Sequence, residues 1–271
     1  MSASLCPQVI VPVFNAAAVL ADCLDSLGRT LGADDRVLLI DDASTDPAVA
    51  GLLQAFAGQA QCAVRVERNP QNLGFVGTVN RGMALCEQDV VLLNSDTVVT
   101  QGWLARLARA AASDPRVATV TPFSNHAEIC SIPRFCQANP LPDDPEAMAA
   151  RVAAHAPVYP ALPTAVGFCV LITRSALDQV GDFDAATFGR GYGEENDFCL
   201  RASGHGFRHL LCDDAYVAHR GGASFAPIGE SPNGVALQRL LARYPGYNAL
   251  IADFIARDPL APIRARIMGT G

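Results

Sequence analysis

The stretch LLNSDTVV, from Leu92 to Val99, places three polar residues between two apolar runs. The leucines and valines on both sides indicate a buried strand and its continuation. Burying an ionised carboxylate is costly unless a partner compensates for the lost hydration. Asp96 therefore either faces water where the strand ends or contacts a positive group such as a metal ion, and the sequence around it has to decide between the two.

Strands and helices alternate in the first third of the chain, where short apolar runs are separated by segments with apolar residues at helical spacing. The expected strands cover residues 8–13, 36–40, 62–67 and 89–93, and the expected helices cover residues 16–27, 46–56 and 74–85. Asp46 and Pro47 fit the N-cap and the first position of the second helix. This alternation predicts an α/β fold in which helices flank both faces of a mostly parallel sheet.

The second half of the chain is less regular. Helices are expected at residues 102–112 and 194–202, and strands at residues 117–122, within 164–177 and up to His219. Two further helical segments are expected within residues 235–256. Residues 123–145 show no apolar period, so we expect a long loop there, of the kind that often forms a lid or a binding site.

Polar residues directly follow all four strands of the first third. The polar or turn-forming residues at these strand ends include Asn15, Asp41, Asp42, Asn72, Gly74, Asn94, Ser95 and Asp96. Ligands of parallel α/β sheets bind beyond the carboxyl ends of the strands, so these residues are candidates for one binding site. The alternative is a set of ordinary loops, since Asn, Asp, Ser and Gly favour turns.

Composition and charge exclude several classes of protein. The 271 residues include 17% charged residues and carry a formal net charge of −7, which disfavours a bulk electrostatic grip on nucleic acid or on an anionic membrane. None of the nine cysteines forms a C-x-x-C pair, so no zinc site of paired cysteines is expected. Neither a signal peptide nor a membrane-spanning apolar run is expected. We expect a cytoplasmic protein that associates at most peripherally with the cytoplasmic face of a membrane.

Six motifs follow one another along the chain: PVFN, IDDAST, NLGF with NRG, NSD, GYGEENDFCLR and AHRGGASF. In this order and spacing they resemble the family 2 glycosyltransferases of the GT-A fold, and the resemblance covers roughly residues 8–225. It implies a Rossmann-like α/β sheet, a nucleotide-sugar donor and inversion at the anomeric carbon. It also implies a role in building bacterial surface polysaccharides.

The resemblance implies three parts: residues 1–98 bind the nucleotide-sugar, residues 99–225 form the acceptor-binding and catalytic half of the same GT-A domain, and residues 226–271 form a helical tail. The implied substrates are a UDP- or dTDP-sugar donor and a glycan or lipid-linked glycan acceptor. The sequence leaves open whether the chain is one domain of a longer protein or acts with other glycosyltransferase domains.

The donor's base has candidate contacts near the first two strand ends. By the resemblance, Asp42 accepts a hydrogen bond from a pyrimidine ring, while Pro12 and Phe14 flank the base. Asn15 and Asp41 belong to the same expected donor-binding set. A carboxylate that merely stabilises a turn is the alternative for Asp41.

The donor's ribose and diphosphate are expected near Asn72, Gly74 and Asn80. Glycine permits close approach of the backbone, and a helix that begins at Gly74 favours anions at its N-terminus. The remaining donor-binding residues implied by the resemblance are Asn94, Ser95 and Asp96. A helix cap is the alternative for Asn72.

A divalent cation answers the question that LLNSDTVV raises. Asp96 matches the last acid of the family's D-x-D motif, and His219 resembles a second protein ligand. Such a cation neutralises the departing diphosphate; imidazole with one carboxylate suits Mn²⁺, and Mg²⁺ is the other candidate. The sequence departs from the motif at Asn94, where the first acid would stand, so cation binding is expected to need the donor's phosphates. For His219 the alternative is a hydrogen-bonded structural histidine.

The acidic cluster of GYGEENDF supplies candidates for a general base. Inverting transfer needs a carboxylate to take the proton of the acceptor hydroxyl, and crowding of acids raises the pKa of at least one of them. In the family's E-D-x-D pattern the second acid is the base, which corresponds to Glu195, with Asp197 and Glu194 as the other candidates. The alternative is electrostatic stabilisation of a helix N-terminus. Arg201 is expected to form an internal ion pair.

Three other functions are compatible with this fold class. A sugar-phosphate nucleotidylyltransferase would need a glycine-rich loop with Arg or Lys after the first strand, and PVFNAAAVLAD has none. A dinucleotide oxidoreductase would need G-x-G-x-x-G at the same place, which is also absent. A non-catalytic nucleotide-sugar-binding module would keep the fold but would not need the acids of GYGEEND.

Overall fold

The computed structural model describes residues 6–189, 191–221 and 234–270. In these residues nine strands form one mixed sheet with the order β3-β2-β1-β4-β8-β6-β9-β5, and β7 pairs with β9 beside this path. The strands are β1 (Gln8–Val13), β2 (Arg36–Asp41), β3 (Ala63–Arg68), β4 (Val90–Leu93), β5 (Thr97–Val99), β6 (Val117–Phe123), β7 (Ala161–Leu162), β8 (Cys169–Ile172) and β9 (Arg208–His219).

Helices cover the sheet. They are α1 (Ala17–Thr30), α2 (Pro47–Gln59), α3 (Gly74–Ala84), α4 (Trp103–Ala111), α5 (Pro145–Ala153), α6 (Arg174–Val180), α7 (Ala185–Phe188), α8 (Glu194–Gly204), α9 (Val235–Arg243), α10 (Tyr247–Arg257) and α11 (Ala261–Met268), with a 3₁₀ turn at Glu128–Cys130. In the described ranges, none of these helices combines the length and the apolar character that crossing a membrane requires.

The alternating elements expected in the first third are all present, with ends that differ by a few residues. Asp46 caps α2 as expected: its side chain accepts a hydrogen bond from the backbone N–H of Ala48 at 2.9 Å, and Pro47 occupies the first turn. Successive side chains of β1 pack on opposite faces of the sheet, with Val9 and Val11 on one side and Ile10 on the other. The sheet therefore separates two apolar cores, as a sheet covered by helices on both faces must.

The expected parallel order holds for the first four strands only. β1 pairs in parallel with β2 and β4, and β2 pairs in parallel with β3. β8 then runs antiparallel to both β4 and β6, and β9 is parallel to β6 but antiparallel to β5 and β7. The second half of the chain thus adds both parallel and antiparallel strands to the sheet, which agrees with its less regular sequence.

The pairing of the short strand β5 fixes the position of Asp96. Thr97 of β5 pairs with His219 at the end of β9, and the backbone N–H of Arg220 donates to the carbonyl of Asp96 at 3.0 Å. This pairing brings Asp96 beside the end of β9, where only 2% of its surface is exposed. The boundary expected at residue 98 lies inside β5, so both halves share one sheet.

Several short elements were not expected from the sequence. They are α5, α6, α7, α11, β5 and β7, of which only α5 and α11 exceed seven residues. The two helices expected within residues 235–256 are present as α9 and α10, and the expected tail from residue 226 is described from residue 234 onward.

Replacing Gly82 with Ala should destabilise the fold. A Cβ on Gly82 of α3 would lie 2.7 Å from Cγ2 of Ile10 in β1, so the helix would have to move away from the sheet. We expect a loss of about 1–3 kcal/mol in the free energy of unfolding, measured by urea denaturation. Gly51 of α2, which has open space around it, is the control, since alanine there should be neutral or slightly stabilising. Equal losses at both positions would contradict this packing.

Candidate active site

Two adjoining cavities lie at the carboxyl ends of the central strands. The first cavity is lined by Pro12, Val13, Phe14, Asp42, Asn72, Gly74, Phe75, Thr78, Asn94 and Ser95. The second cavity, of about 320 Å³, is lined by Phe75, Asn94, Asp96, His126, Ala127, Glu128, Val166, Gly167, Phe168, Tyr192, Glu194, Glu195, His219 and Gly221. Phe75 and Asn94 belong to both linings, so the cavities form a continuous site of the kind expected at this edge of the sheet.

Asp42 is fixed in the wall of the first cavity by three donors. Its Oδ1 accepts hydrogen bonds from Nδ2 of Asn69 and the backbone N–H of Leu73, both at 2.7 Å, and its Oδ2 accepts from the backbone N–H of Gly74 at 2.9 Å. The last two donors belong to the start of α3, so Asp42 caps this helix from the neighbouring strand. A carboxylate has about four acceptor positions, so one remains for a ligand.

Asn72 is not the cap of α3. The cap position is Leu73, and the Nδ2 of Asn72 donates instead to the carbonyl of Asp42 at 3.2 Å. Its Oδ1 is buried and has no hydrogen-bond partner, although Asn72 lines the first cavity. A buried acceptor without a donor is costly, so this oxygen is available for a hydroxyl or N–H of a bound molecule.

Three expected donor-binding residues have structural contacts instead. The Oδ1 of Asn15 accepts hydrogen bonds from the backbone of Thr45 and Asp46, which ties two loops together. Asp41 forms an ion pair with Arg68. These two residues are absent from both linings, as is a third, Asn80.

Asn80 connects α3 to a distant loop. Its Nδ2 donates to the carbonyl of Phe183 at 2.8 Å, and its Oδ1 accepts from the backbone N–H of Phe183 at 3.2 Å. Both polar atoms of the side chain are therefore used within the protein. The sequence-based placement of Asn80 beside the ribose and the diphosphate stays a prediction, as do those of Asn15 and Asp41.

Asp96 and His219 face each other in the second cavity. The Oδ1 of Asp96 lies 3.3 Å from the Nε2 of His219 and has no hydrogen-bond partner. The Nδ1 of His219 lies 2.7 Å from the carbonyl oxygen of His126, so Nδ1 carries a proton and Nε2 is the nitrogen that faces Asp96. The ring also stacks on Phe168, with centroids 5.2 Å apart.

These two side chains fit a divalent cation. A buried carboxylate oxygen without a donor and an imidazole nitrogen held by a carbonyl on its far side form a typical pair of metal ligands. In the described residues, no group of three His, Cys, Asp or Glu side chains could hold a metal ion together. Asn94, which stands at the first position of the D-x-D motif, lines the cavity as a neutral amide. The protein thus offers two strong ligands, and an ion there would need further ligands from a bound molecule.

Glu195 reaches the second cavity from the first turn of α8. The helix begins after Gly193, whose φ of 97° is suited to glycine. The Oε2 of Glu195 is buried and has no hydrogen-bond partner. Burial raises the pKa of Glu195 to about 7, and the carboxylate of Glu128 contributes in the same direction. Glu194 lines the same cavity and is 4% exposed.

Asp197 anchors α9 to α8. It is fully buried; its Oδ2 accepts from Nε of Arg201 at 2.8 Å, and its Oδ1 accepts from Nη1 of Arg243 at 2.6 Å and the hydroxyl of Tyr244 at 3.1 Å. The expected ion pair of Arg201 is confirmed. The catalytic role expected for Asp197 stays a prediction; its two oxygens hold α9 on α8, and it lines neither cavity.

The loop after β6 contributes residues that the sequence did not single out. His126, Ala127 and Glu128 line the second cavity. Burial raises the pKa of Glu128, and burial together with the nearby His219 lowers the pKa of His126. The backbone of Glu128 is strained, since its φ of 44° is unusual for a residue other than glycine. This strain is a feature of the structure that the sequence does not reveal.

The AHRGGASF motif is described as far as Gly221, and its last four residues lie outside the described ranges. Gly221 has a φ of 71°, and a Cβ on it would collide with the ring of His126. Only glycine therefore fits at position 221, where the backbone that follows His219 passes close to the ring of His126.

The sequence matches the model of Glycosyl transferase family 2 over residues 8–181, and the chain belongs to this family. An uncharacterized protein of Mycobacterium tuberculosis is 28% identical over 219 residues, which span 79% of this chain and 74% of that protein. The O-antigen biosynthesis protein RfbC of Myxococcus xanthus is 32% identical over 113 residues, which span 41% of this chain and 9% of that protein. The family resemblance of the motifs is confirmed, and the nucleotidylyltransferase and oxidoreductase alternatives are set aside.

Two solved structures share the fold. GalNAc-T7, solved with UDP, GalNAc and Mn²⁺, has a TM-score of 0.61 and 16% identity over 87% of this chain, which spans 47% of that chain. The mannosyltransferase PcManGT from Pyrobaculum calidifontis, solved with GDP-Man and Mn²⁺, has a TM-score of 0.58 and 17% identity over 99% of this chain and 86% of that chain. The chain thus spans about half of GalNAc-T7. The fold is the GT-A arrangement that the resemblance implied.

Replacing Glu195 with Gln should stabilise the protein more at pH 8 than at pH 5. Because the folded protein raises the pKa of Glu195 from 4.5 to about 7, the stabilising contribution of this group is complete below about pH 4.5 and is lost as the pH rises through about 7. Glutamine carries no charge, so we expect a gain of about 1–3 kcal/mol in the free energy of unfolding at pH 8.

Urea denaturation at both pH values measures this difference, and Glu87→Gln on the protein surface is the matched control. The control should change stability little at either pH. A gain for Glu195→Gln that does not depend on pH would contradict the raised pKa.

Proposed function

We propose that this chain is an inverting glycosyltransferase that moves a sugar from a UDP- or dTDP-sugar to a hydroxyl of a glycan or lipid-linked glycan acceptor. One observation carries the proposal: Asp96, His219 and Glu195 line a single cavity that continues into the cavity at Asp42. Candidate metal ligands, a candidate base and a candidate nucleotide site are thereby joined along one path.

The first cavity supports a nucleotide with a pyrimidine base. The remaining acceptor position of Asp42 suits the N3–H of uracil or thymine, which a cytosine ring lacks. Pro12 and Phe14 supply an apolar wall, and the Oδ1 of Asn72 can accept a ribose hydroxyl or a ring N–H. The diphosphate then extends past Asn94 into the second cavity, since Asn94 lines both.

The second cavity needs a cation to accept a diphosphate. Its described lining includes four carboxylates, those of Asp96, Glu128, Glu194 and Glu195, and no arginine. The sequence also contains no lysine. Asp96 and His219 would hold a divalent cation, Mn²⁺ or Mg²⁺, which neutralises the charge that develops on the leaving diphosphate.

Glu195 is suited to take the proton of the acceptor hydroxyl. The oxygen of this hydroxyl attacks the anomeric carbon while the bond from that carbon to the diphosphate oxygen breaks, which inverts the configuration. The proton passes to the carboxylate of Glu195. A pKa of about 7 makes this carboxylate basic enough to take the proton and still ionised in about half of the molecules at neutral pH.

The proposed acceptor class rests on the relatives. RfbC of Myxococcus xanthus is an O-antigen biosynthesis protein, and a Mycobacterium bovis protein that is 31% identical over 103 residues is a PGL/p-HBAD biosynthesis glycosyltransferase. Both names point to surface glycans or glycolipids. We therefore propose a cytoplasmic protein that associates at most peripherally with the cytoplasmic face of a membrane, with residues 1–98 and 99–225 as the donor and acceptor halves.

Replacing Glu195 with Gln should abolish transfer but preserve donor binding. The variant should release nucleoside diphosphate at least about 100-fold more slowly from a panel of UDP- and dTDP-sugars with glycoside acceptors, because general base catalysis is lost. Nucleotide-induced thermal stabilisation should match that of the wild type. Proton NMR of the anomeric signal of the product should show inversion in the wild-type reaction.

Glu87→Gln again serves as the control and should transfer at the wild-type rate. Unchanged transfer by the Glu195 variant would remove Glu195 as the base. A product that retains the donor's configuration would contradict the inverting mechanism.

A further inference from the structure

Asn125 lies where the ladder between β6 and β9 ends. The last backbone pair of these strands joins Phe123 and Tyr216, and three residues further along β9 the chain reaches His219. Asn125 is 3% exposed, so the polar atoms of its side chain must find partners inside the protein. The side chain of Asn125, rather than the backbone of β6, meets the end of β9.

The side-chain amide of Asn125 bonds both backbone groups of His219. Its Oδ1 accepts from the backbone N–H of His219 at 2.8 Å, and its Nδ2 donates to the carbonyl of His219 at 2.8 Å. The carbonyl of the next residue, His126, accepts from Nδ1 of the imidazole at 2.7 Å. Residues 125 and 126 therefore hold His219 at three points.

Only an amide of this length makes both backbone bonds. The side-chain amide of asparagine carries a donor and an acceptor, as a backbone peptide group does. It therefore makes the two hydrogen bonds to β9 that the backbone of β6 would otherwise make. Aspartate has the same shape but only acceptors, and it would oppose the carbonyl of His219. The orientation of Nε2 toward Asp96 depends on this anchoring, because Nε2 itself has no other partner among the described contacts than Asp96.

We propose that Asn125 is a positioning residue for the cation site, which holds His219 so that its Nε2 and the Oδ1 of Asp96 share one ion. This inference rests on the proposed function, since it assumes that Asp96 and His219 bind a divalent cation. Residues that fix the orientation of a metal-binding histidine typically contribute 10–100-fold to metal affinity, about the effect expected here.

Asn139 provides a matched control. It is also buried, at 5% exposure, and it bonds the backbone of Asn125: its own N–H donates to the carbonyl of Asn125 at 2.9 Å. Its side chain closes the loop through the carbonyls of Asn125, Arg134 and Gln137. Asn139 thus stabilises the same loop but makes no hydrogen bond with His219.

The test is a titration of Mn²⁺ into the full chain with saturating UDP, in which the EPR signal of free Mn²⁺ gives the dissociation constant. Asn125→Asp should weaken Mn²⁺ binding by about tenfold or more. Asn139→Asp should change it by less than about threefold, and His219→Ala should weaken it at least as much as Asn125→Asp does. UDP binding without Mn²⁺, followed by thermal shift, should be the same in all four proteins.

The outcomes separate the two levels of the proposal. Tight Mn²⁺ binding by His219→Ala would overturn the cation site itself and, with it, the role of Asn125. Loss in His219→Ala with unchanged binding in Asn125→Asp, or equal losses in the Asn125 and Asn139 variants, would overturn only the positioning role. If Asn125→Asp does not fold, Asn125→Gln carries the test, because it keeps both amide groups but displaces them by one methylene and should still weaken Mn²⁺ binding.

Discussion

The antiparallel pairing of β5 with the end of β9 is the constraint on which the site depends. It joins a strand that follows Asp96 to a strand that ends at His219, two residues far apart in the sequence. Without this pairing, a buried carboxylate and an imidazole would not meet at 3.3 Å. The pairing answers why an apolar stretch carries an aspartate: Asp96 occupies the turn where β4 gives way to β5, beside the only histidine that ends a described strand.

Buried carboxylates in this protein fall into two groups by their partners. Asp42 and Asp197 accept three hydrogen bonds each, and these bonds hold α3 and α9 in place. Asp96 and Glu195 instead each keep a buried oxygen without a donor. Such atoms cost stability, so they persist where a ligand, an ion or a reaction uses them. The two groups therefore differ in their partners: the first supports helices, and the second leaves a buried oxygen without a hydrogen bond.

Much of the first third of the chain could be predicted from the sequence, because its elements and motifs are local. Each polar cluster directly follows an apolar strand, so the placement of Asp42, Asn72 and Asp96 at one sheet edge needed only the rule for parallel sheets. The same rule gave no means of separating these residues from Asn15 and Asp41, which also lie at strand ends but accept hydrogen bonds from loop backbone, with Asp41 also paired to Arg68. The roles of the residues that line the cavities stay predictions until ligand binding is measured.

The rest depends on contacts between distant parts of the chain. Asn80 bonds Phe183, and Asp197 bonds Arg243, so neither role has a local signal in the sequence. The loop after β6 has no apolar period; amide hydrogen bonds between Asn125 and Asn139 tie it together, and Ile129, Cys130 and Ile132 pack into the core. The direction of β8 likewise follows from its neighbours and not from its own residues.

The most direct test is the thermal stability of the wild type and of Asp96→Asn with UDP, dTDP, GDP or NAD, each with and without Mn²⁺. A ligand that binds the folded state raises stability by mass action, by about 2.7 kcal/mol at 100 times its dissociation constant. We predict that UDP or dTDP stabilises both proteins, and that Mn²⁺ increases the shift in the wild type only. The cation site at Asp96 and His219 would be contradicted if the nucleotide raised thermal stability equally with and without Mn²⁺. It would also be contradicted if Mn²⁺ increased the stability of Asp96→Asn as much as that of the wild type.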